Sequence, residues 1–394
     1  MTAKTTLETL METTKGNGGV RRATGGIVAA TVLGVCAPTA HAQSSVTLYG
    51  ILSEGIAYAS NTGGKSNVQL LAGTMQNNRF GLRGTEDLGG GLKAIFTLEN
   101  GFDITSGKLQ QGGRMFGRQA FGGLSSTVWG TITAGRQYAT PTDFLQILEA
   151  PVAAAGYAVH VGDNDEIFSS YRYNNSLKYQ TPVFAGLRGE VMYAMSNDPG
   201  RWALNRSLSA GVGYDNAGLK LAAVYLNTDN PGVGGNPNGA VTDDYSGAPF
   251  VLFRSSPLNA NVGVARQREY GAGAQYQFST VRISGIVTDV RYDYLDHTSL
   301  HLDNVDVNAS YFIRPELMLS AAYVYTSGKY GGFNRAPHWN MGQLSLDYFL
   351  SKRTDVYLFA DYQKATGATA DIYAFSPSSN SSQTVVVAGI RHKF

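Results

Sequence analysis

The chain has 394 residues, of which only 15% are charged, with 48 Gly, 23 Tyr, a single Cys and a formal net charge of +2. The charged fraction is below the roughly 25% of soluble proteins, yet no apolar run approaches the ~20 residues that span a bilayer as a helix. A single Cys excludes a disulfide framework and a Cys-based zinc site. The composition therefore favours β-structure with one apolar face.

The first segment of the chain has the layout of a secretory signal peptide. A pair of arginines and a short apolar run precede Ala40-His41-Ala42, which provides a small-residue cleavage site. We predict that residues 1–42 are removed and that residues 43–394 form the mature domain. Cleavage takes away four of the 31 basic and two of the 29 acidic residues, which leaves no net charge. The charge balance therefore gives no indication of a nucleic-acid partner.

The mature chain is a series of short segments in which apolar and polar residues alternate. Leu344, Leu346 and Tyr348 alternate with Ser345 and Asp347, for example, and successive side chains of a strand point to opposite faces. We place sixteen strands in this way, at 46–60, 75–85, 91–102, 114–124, 128–137, 171–181, 186–196, 206–215, 218–228, 268–278, 281–292, 300–314, 316–327, 340–351, 353–364 and 383–394. Short gaps alternate with long ones at 61–74, 103–113, 138–170, 229–267, 328–339 and 365–382.

This pattern predicts an all-β fold, a sixteen-stranded antiparallel transmembrane β-barrel with short periplasmic turns and long extracellular loops. Soluble β-sandwiches and propellers also have alternating strands, but the even strand number and the turn-and-loop alternation are typical of outer-membrane barrels. The chain ends inside its last strand, at Phe394. That strand can close the sheet against the first one, as lipid around a spanning sheet requires.

Five motifs then occur in the order of a known family. They are SVTLYG at 45–50, NRFGLRGTEDLGGGLKA at 78–94, RQAF at 118–121, GRQY at 135–138 and NNSLKY at 174–179. With the terminal Phe394, they make the chain resemble the general diffusion porins of Gram-negative bacteria, particularly the β-proteobacterial branch with its Burkholderia, Neisseria and Comamonas types.

The resemblance implies a homotrimer in the outer membrane, surrounded by lipid, in which an inward-folded third long loop narrows each barrel. It implies passive passage of small hydrophilic solutes and ions. It also implies that Phe394 is the signal by which the outer-membrane assembly machinery recognises the last strand.

Selectivity should depend on the charges that line the narrowed lumen. The third long loop, 138–170, should contribute an acidic rim: Asp143, Glu149, Asp163, Asp165 and Glu166. A basic wall should face it. Arg79 and Arg83 share the polar face of one strand and Arg172 lies on that of another, whereas Arg118 and Arg136, whose faces the alternation leaves ambiguous, are added by the resemblance. Lumen ion pairs without effect on selectivity are the alternative.

Four arginines, Arg79, Arg118, Arg136 and Arg172, match the basic positions of the family and face a handful of carboxylates, so we expect a weak preference for anions. Catalytic signals are missing: there is no G-x-S-x-G, and His297 and His301 would lie ~13 Å apart on a strand. We therefore expect no enzyme, no cofactor and no metal. A substrate-specific channel, or a surface adhesin or receptor barrel, remains the alternative function.

Overall fold

A computed structural model of the chain describes residues 44–241, 244–245 and 252–394; the predicted signal peptide, 1–42, lies outside them. The described strands are β1 (Ser45–Thr62), β2 (Lys65–Ala72), β3 (Arg79–Gly89), β4 (Leu92–Gly101), β5 (Gln119–Ser126), β6 (Gly130–Gln137), β7 (Tyr173–Gln180), β8 (Leu187–Ala194), β9 (Arg206–Asn216), β10 (Leu219–Asp229), β11 (Val264–Gln277), β12 (Val281–Tyr294), β13 (Ser299–Arg314), β14 (Leu317–Gly331), β15 (His338–Phe349), β16 (Thr354–Thr366) and β17 (Ser382–Lys393).

Helical structure in the described residues is short. A helix α1 (Thr140–Leu145) and two helical turns, Pro151–Ala155 and Val161–Asp163, all lie between β6 and β7. Within the described ranges, no helix has the length and apolar character needed to cross a membrane.

The strands form one antiparallel sheet that closes on itself. From β3 onward each strand pairs with the next along the chain, and β17 returns to β1, with Ile51 opposite Lys393 and Ala59 opposite Val385. The predicted sixteen-stranded barrel is confirmed. The additional strand, β2, occupies the predicted first long gap, where the chain turns at Gly63 and Gly64 with positive φ angles that suit glycine.

The strand β2 does not add a seventeenth position to the barrel wall. It pairs with the later part of β1, from Glu54 to Thr62, whereas β3 pairs with the earlier part, from Ser45 to Ile51. The strand β17 pairs with one edge of β1. The other edge of β1 pairs first with β3 and then with β2, so β2 and β3 share one position in the wall.

Alternation sorts the side chains of the barrel as predicted. On β15, Leu344, Leu346 and Tyr348 are exposed on the outer face, whereas Ser345 and Asp347 are buried on the inner face. An apolar outside and a polar inside is the arrangement of a barrel that stands in lipid.

The buried core of the molecule lies inside the barrel, because long loops fold into the lumen. The helix α1 packs against β9, β10 and β11, where Gly271 lacks the side chain that would collide with Leu145. The turn Pro151–Ala155 packs against β13, β14 and β15. A cluster of buried apolar side chains also includes Tyr245 and Phe253 from the predicted fifth long loop. The third long loop thus folds inward, as expected.

Candidate functional site

A cavity of about 370 Å³ lies between the third long loop and one side of the barrel wall. We call it the loop–wall cavity. The wall side includes Tyr49, Arg79, Arg83, Glu99, Arg118 and Tyr138, and the loop side includes Gln146, Val152, Phe168 and Ser169. The segment between β2 and β3 adds Met75, Gln76 and Asn77.

The wall side of this cavity is basic. Arg79 and Arg83 point inward from β3 and line the cavity, as the alternation predicts. Leu82, between them, is exposed on the outer face opposite the exposed Leu48. Among the described residues that line the cavity, Arg79, Arg83 and Arg118 are opposed by a single carboxylate. The cavity therefore has an excess of positive charge.

That carboxylate, Glu99, is shared between two of the arginines. Arg118 Nε donates to Glu99 Oε1 at 2.7 Å, and Arg79 Nε lies 3.7 Å from Oε2. The Tyr49 hydroxyl also donates to Oε2, at 2.9 Å. The hydrogen bond from Arg118 is charge-assisted and fixes the orientation of that guanidinium group, whereas Arg79 is held near the same carboxylate by an ion pair.

The guanidinium groups of two arginines lie over tyrosine rings. The Arg83 guanidinium carbon lies 4.8 Å from the centre of the Tyr49 ring, and that of Arg172 lies 5.0 Å from the centre of the Tyr138 ring. Arg172 Nη2 also donates to the Tyr138 hydroxyl at 3.1 Å. These are cation–π distances. The structure thus brings four of the five expected arginines (Arg79, Arg83, Arg118 and Arg172) into one cluster.

The fifth arginine, Arg136, lies elsewhere. It is 7% exposed, its backbone is opposite Ala120 on β5, and the pairing of β6 with β7 is irregular between Gly135 and Gln137. Its guanidinium contacts Asp244 and donates to Asn174 and to the Gly117 carbonyl. The structure does not bring Arg136 to the loop–wall cavity, because its buried guanidinium is held by Asp244 of the predicted fifth long loop.

The five acidic loop residues also lie outside the loop–wall cavity. Asp143 forms an ion pair with Lys178 of β7. Glu149, Asp163, Asp165 and Glu166 are at most 2% exposed, and they face the loop itself or the barrel wall. Asp163, for example, accepts hydrogen bonds from the backbone nitrogens of Phe168 and Ser170. A loop without regular pairing needs acceptors for its own amides, and the carboxylates serve that purpose here.

Burial changes the protonation of these loop acids. It raises the pKa of the Glu149 carboxyl well above its usual range, and the nearby Asp163 and Asp165 raise it further. Burial and the charge of Asp165 raise the pKa of Asp163 to about 6. Burial also opposes the ionisation of Asp165, but His160, whose Nδ1 lies 2.7 Å from Asp165 Oδ2, lowers its pKa below the usual value.

Tyr49, Glu99 and Tyr138 belong to the site but were not predicted from the sequence. For Glu99 a signal exists: it alternates with Leu98 on β4, and a lone carboxylate on such a strand should face the lumen. Tyr49 and Tyr138 lie within the recognised motifs, but nothing in the sequence indicates that arginines stack on them.

Within the described ranges, one group of side chains has the spacing to hold a metal ion. Asp289, His301 and Asp303 have ligand atoms within 4.8 Å of one another. They lie on the outer face of β12 and β13, and Arg291 already binds Asp289 with distances of 2.7 and 3.1 Å. This group has no connection with the loop–wall cavity.

Comparison with known proteins agrees with the geometry. A family model described as Gram-negative porin matches residues 29–368. An outer membrane porin protein of Bordetella pertussis is 30% identical over 93% of this chain and 99% of its own length. Outer membrane porin protein 32 of Delftia acidovorans is 28% identical over 90% of this chain and 95% of its own.

Solved structures share the fold. The anion-selective porin from Comamonas acidovorans has a TM-score of 0.73 at 24% identity, over 89% of this chain and 100% of that chain. A trimer form of OmpT from Vibrio cholerae has a TM-score of 0.65 at 15% identity, over 89% and 99% of the two chains. With the closed barrel, the inward loop and the ordered motifs, these matches confirm the resemblance. The chain belongs to the Gram-negative porin family and forms a channel in the outer membrane.

Proposed function

We propose that this porin is a general diffusion channel with a preference for anions, and that its selectivity is set in the loop–wall cavity. The observation that carries the proposal is the excess of positive charge there: Arg79, Arg83 and Arg118 against Glu99 alone. The solved porin of Comamonas acidovorans is called anion-selective, which supports the same direction.

The proposed mechanism is passive and electrostatic. The charges that line a pore and its diameter decide which solutes pass, and a cleft with one sign of charge raises the local concentration of ions of the other sign. Because Arg79 and Arg118 are held by Glu99, and Arg172 by Tyr138, they attract an anion without first having to be reoriented. The acidic loop residues keep the third loop in place in this mechanism, and they do not form a second charged rim.

We further propose that the channel is a homotrimer and that it has no catalytic activity. The trimer form of the Vibrio cholerae protein, which shares the fold, supports the assembly. We retain the proposals that residues 1–42 are a cleaved signal peptide and that the assembly machinery recognises Phe394. The backbone of Phe394 exchanges hydrogen bonds of 3.0 and 3.1 Å with that of Gly50, so the residue also takes part in closing the barrel.

The test is the reversal potential of the purified protein in a planar bilayer that separates unequal KCl concentrations. We expect a potential of the sign that indicates greater permeability to chloride than to potassium. Greater permeability to potassium would contradict the proposed preference, and a protein that conducts no ions would contradict the channel function itself. Migration of unboiled protein as an oligomer that heating converts to a monomer tests the trimer.

A further inference from the structure

We propose that the loop–wall cavity is a subsite for monocarboxylates with an apolar body, aromatic ones above all. The proposal rests on the anion preference proposed above and goes beyond it, because charge alone does not distinguish one small anion from another. It follows from a cavity that is basic on one side and uncharged on the other, where Val152 and Phe168 lie beside Gln146 and Ser169.

The basic side has the geometry to hold a carboxylate. Arginine binds carboxylates with two parallel hydrogen bonds. Arg118 uses Nε for Glu99, while its buried Nη1 has no hydrogen-bond partner among the described residues. Such a donor normally finds a partner. Arg79, with a side chain that is 20% exposed, lines the same cavity.

The loop side offers apolar surface where an acidic rim was expected. Val152, at the tip of the third loop, is 38% exposed, and it lines the cavity together with Phe168. The Phe168 ring is held by an edge-on contact with Tyr373, with 4.8 Å between ring centres. The carboxylates that could have faced the arginines, such as Asp163, are turned into the loop.

The two sides together select one class of solute. A volume of about 370 Å³ lies within the roughly 300–1,000 Å³ of small-molecule sites, which combine apolar walls with a few placed polar groups. An aromatic cation is repelled by the arginines, whereas acetate has too little apolar surface to use Val152 and Phe168. Benzoate uses both sides. An aromatic contact of ordinary strength makes its binding roughly two- to tenfold tighter than that of acetate.

The experiment measures how benzoate, acetate and phenylethylammonium reduce the chloride current of the reconstituted channel at constant ionic strength. We expect a half-blocking concentration for benzoate roughly two- to tenfold below that for acetate, with phenylethylammonium the weakest. The variant Val152→Asn should raise the value for benzoate roughly twofold or more and leave that for acetate nearly unchanged. Leu258→Asn is the matched control, since Leu258 is an exposed loop residue outside the cavity.

The outcomes separate this inference from the proposed function. If the KCl reversal potential indicates anion preference but benzoate and acetate block equally, the subsite is refuted and the anion channel stands. Equal effects of Val152→Asn and Leu258→Asn on benzoate block would also refute the subsite. If the KCl reversal potential shows no anion preference, the proposed function fails first. Heat-dependent gel mobility and circular dichroism establish that each variant is folded.

Discussion

Replacing Arg79 by Gln removes one positive charge from the loop–wall cavity and leaves the rest of it in place. Arg79 lies 3.7 Å from Glu99, but the same carboxylate keeps its hydrogen bonds from Arg118 and Tyr49. Glu99 is therefore not left as an unpaired buried charge, and we expect the variant to fold and assemble normally.

The size of the effect follows from Coulomb's law. A unit charge about 5 Å from a passing ion in water-like surroundings contributes about 0.8 kcal/mol, and screening at 0.1 M salt reduces this to about 0.5 kcal/mol. The Arg79 charge destabilises a passing cation by as much as it stabilises an anion, so its removal changes the free-energy difference between the two ions by about 1 kcal/mol. The permeability ratio of chloride to potassium should fall roughly fivefold, and by less than about twofold at 1 M salt.

The assay is the reversal potential across a KCl gradient for the wild-type protein, Arg79→Gln and Arg136→Gln. Arg136 is the matched control, because it has the same chemistry but contacts Asp244 and Asn174 outside the loop–wall cavity. We expect Arg136→Gln to leave the reversal potential near that of the wild type. A shift of equal size in both variants, or none in Arg79→Gln at low salt, would refute the assignment of selectivity to this cavity.

Three further predictions concern the loop and the N-terminus. The pKa of Asp163 is about 6 against the usual 3.8, so the folded protein holds this proton more tightly than the unfolded chain does. The protonated carboxyl therefore stabilises the folded loop at low pH, and this stabilisation is lost as the pH rises through about 6. Asp163→Asn should therefore flatten the dependence of thermal stability on pH between about 4 and 7; an unchanged slope would contradict this. A side chain at Gly271 would meet Leu145 at 2.7 Å, so Gly271→Val should push α1 into the lumen and lower single-channel conductance, while Gly342→Val, with open space around it, should not. Mass spectrometry of the mature protein should give an N-terminus at Gln43, and a longer chain that retains residues before it would contradict the predicted cleavage.

The barrel wall could be predicted from the sequence because lipid outside and water inside impose a period of two on every strand. The predicted segment 340–351 became β15 (His338–Phe349), and 281–292 became β12 (Val281–Tyr294). The strand β2 could not be found in this way. It forms because β1 extends beyond β3 and leaves the same edge free for β2, and the alternation within residues 65–72 does not reveal this.

Only those residues of the candidate site that lie on strands could be predicted from the sequence. Arg79 and Arg83 point inward because side chains alternate between the two faces of β3, so their position follows from the sequence. The direction of Asp163 or Glu149 is decided by local contacts in a loop without a period, where backbone amides compete for the carboxylates. The sequence therefore revealed that the loop carries acids, but it could not reveal that they turn away from the arginines.

The most direct test of the account is the position of anions inside the channel. Crystals of the protein soaked in bromide, measured by anomalous scattering, would locate them. The account predicts a bromide peak in the loop–wall cavity in contact with Arg79 or Arg118. Bromide bound elsewhere in the lumen, with none in that cavity, would contradict it.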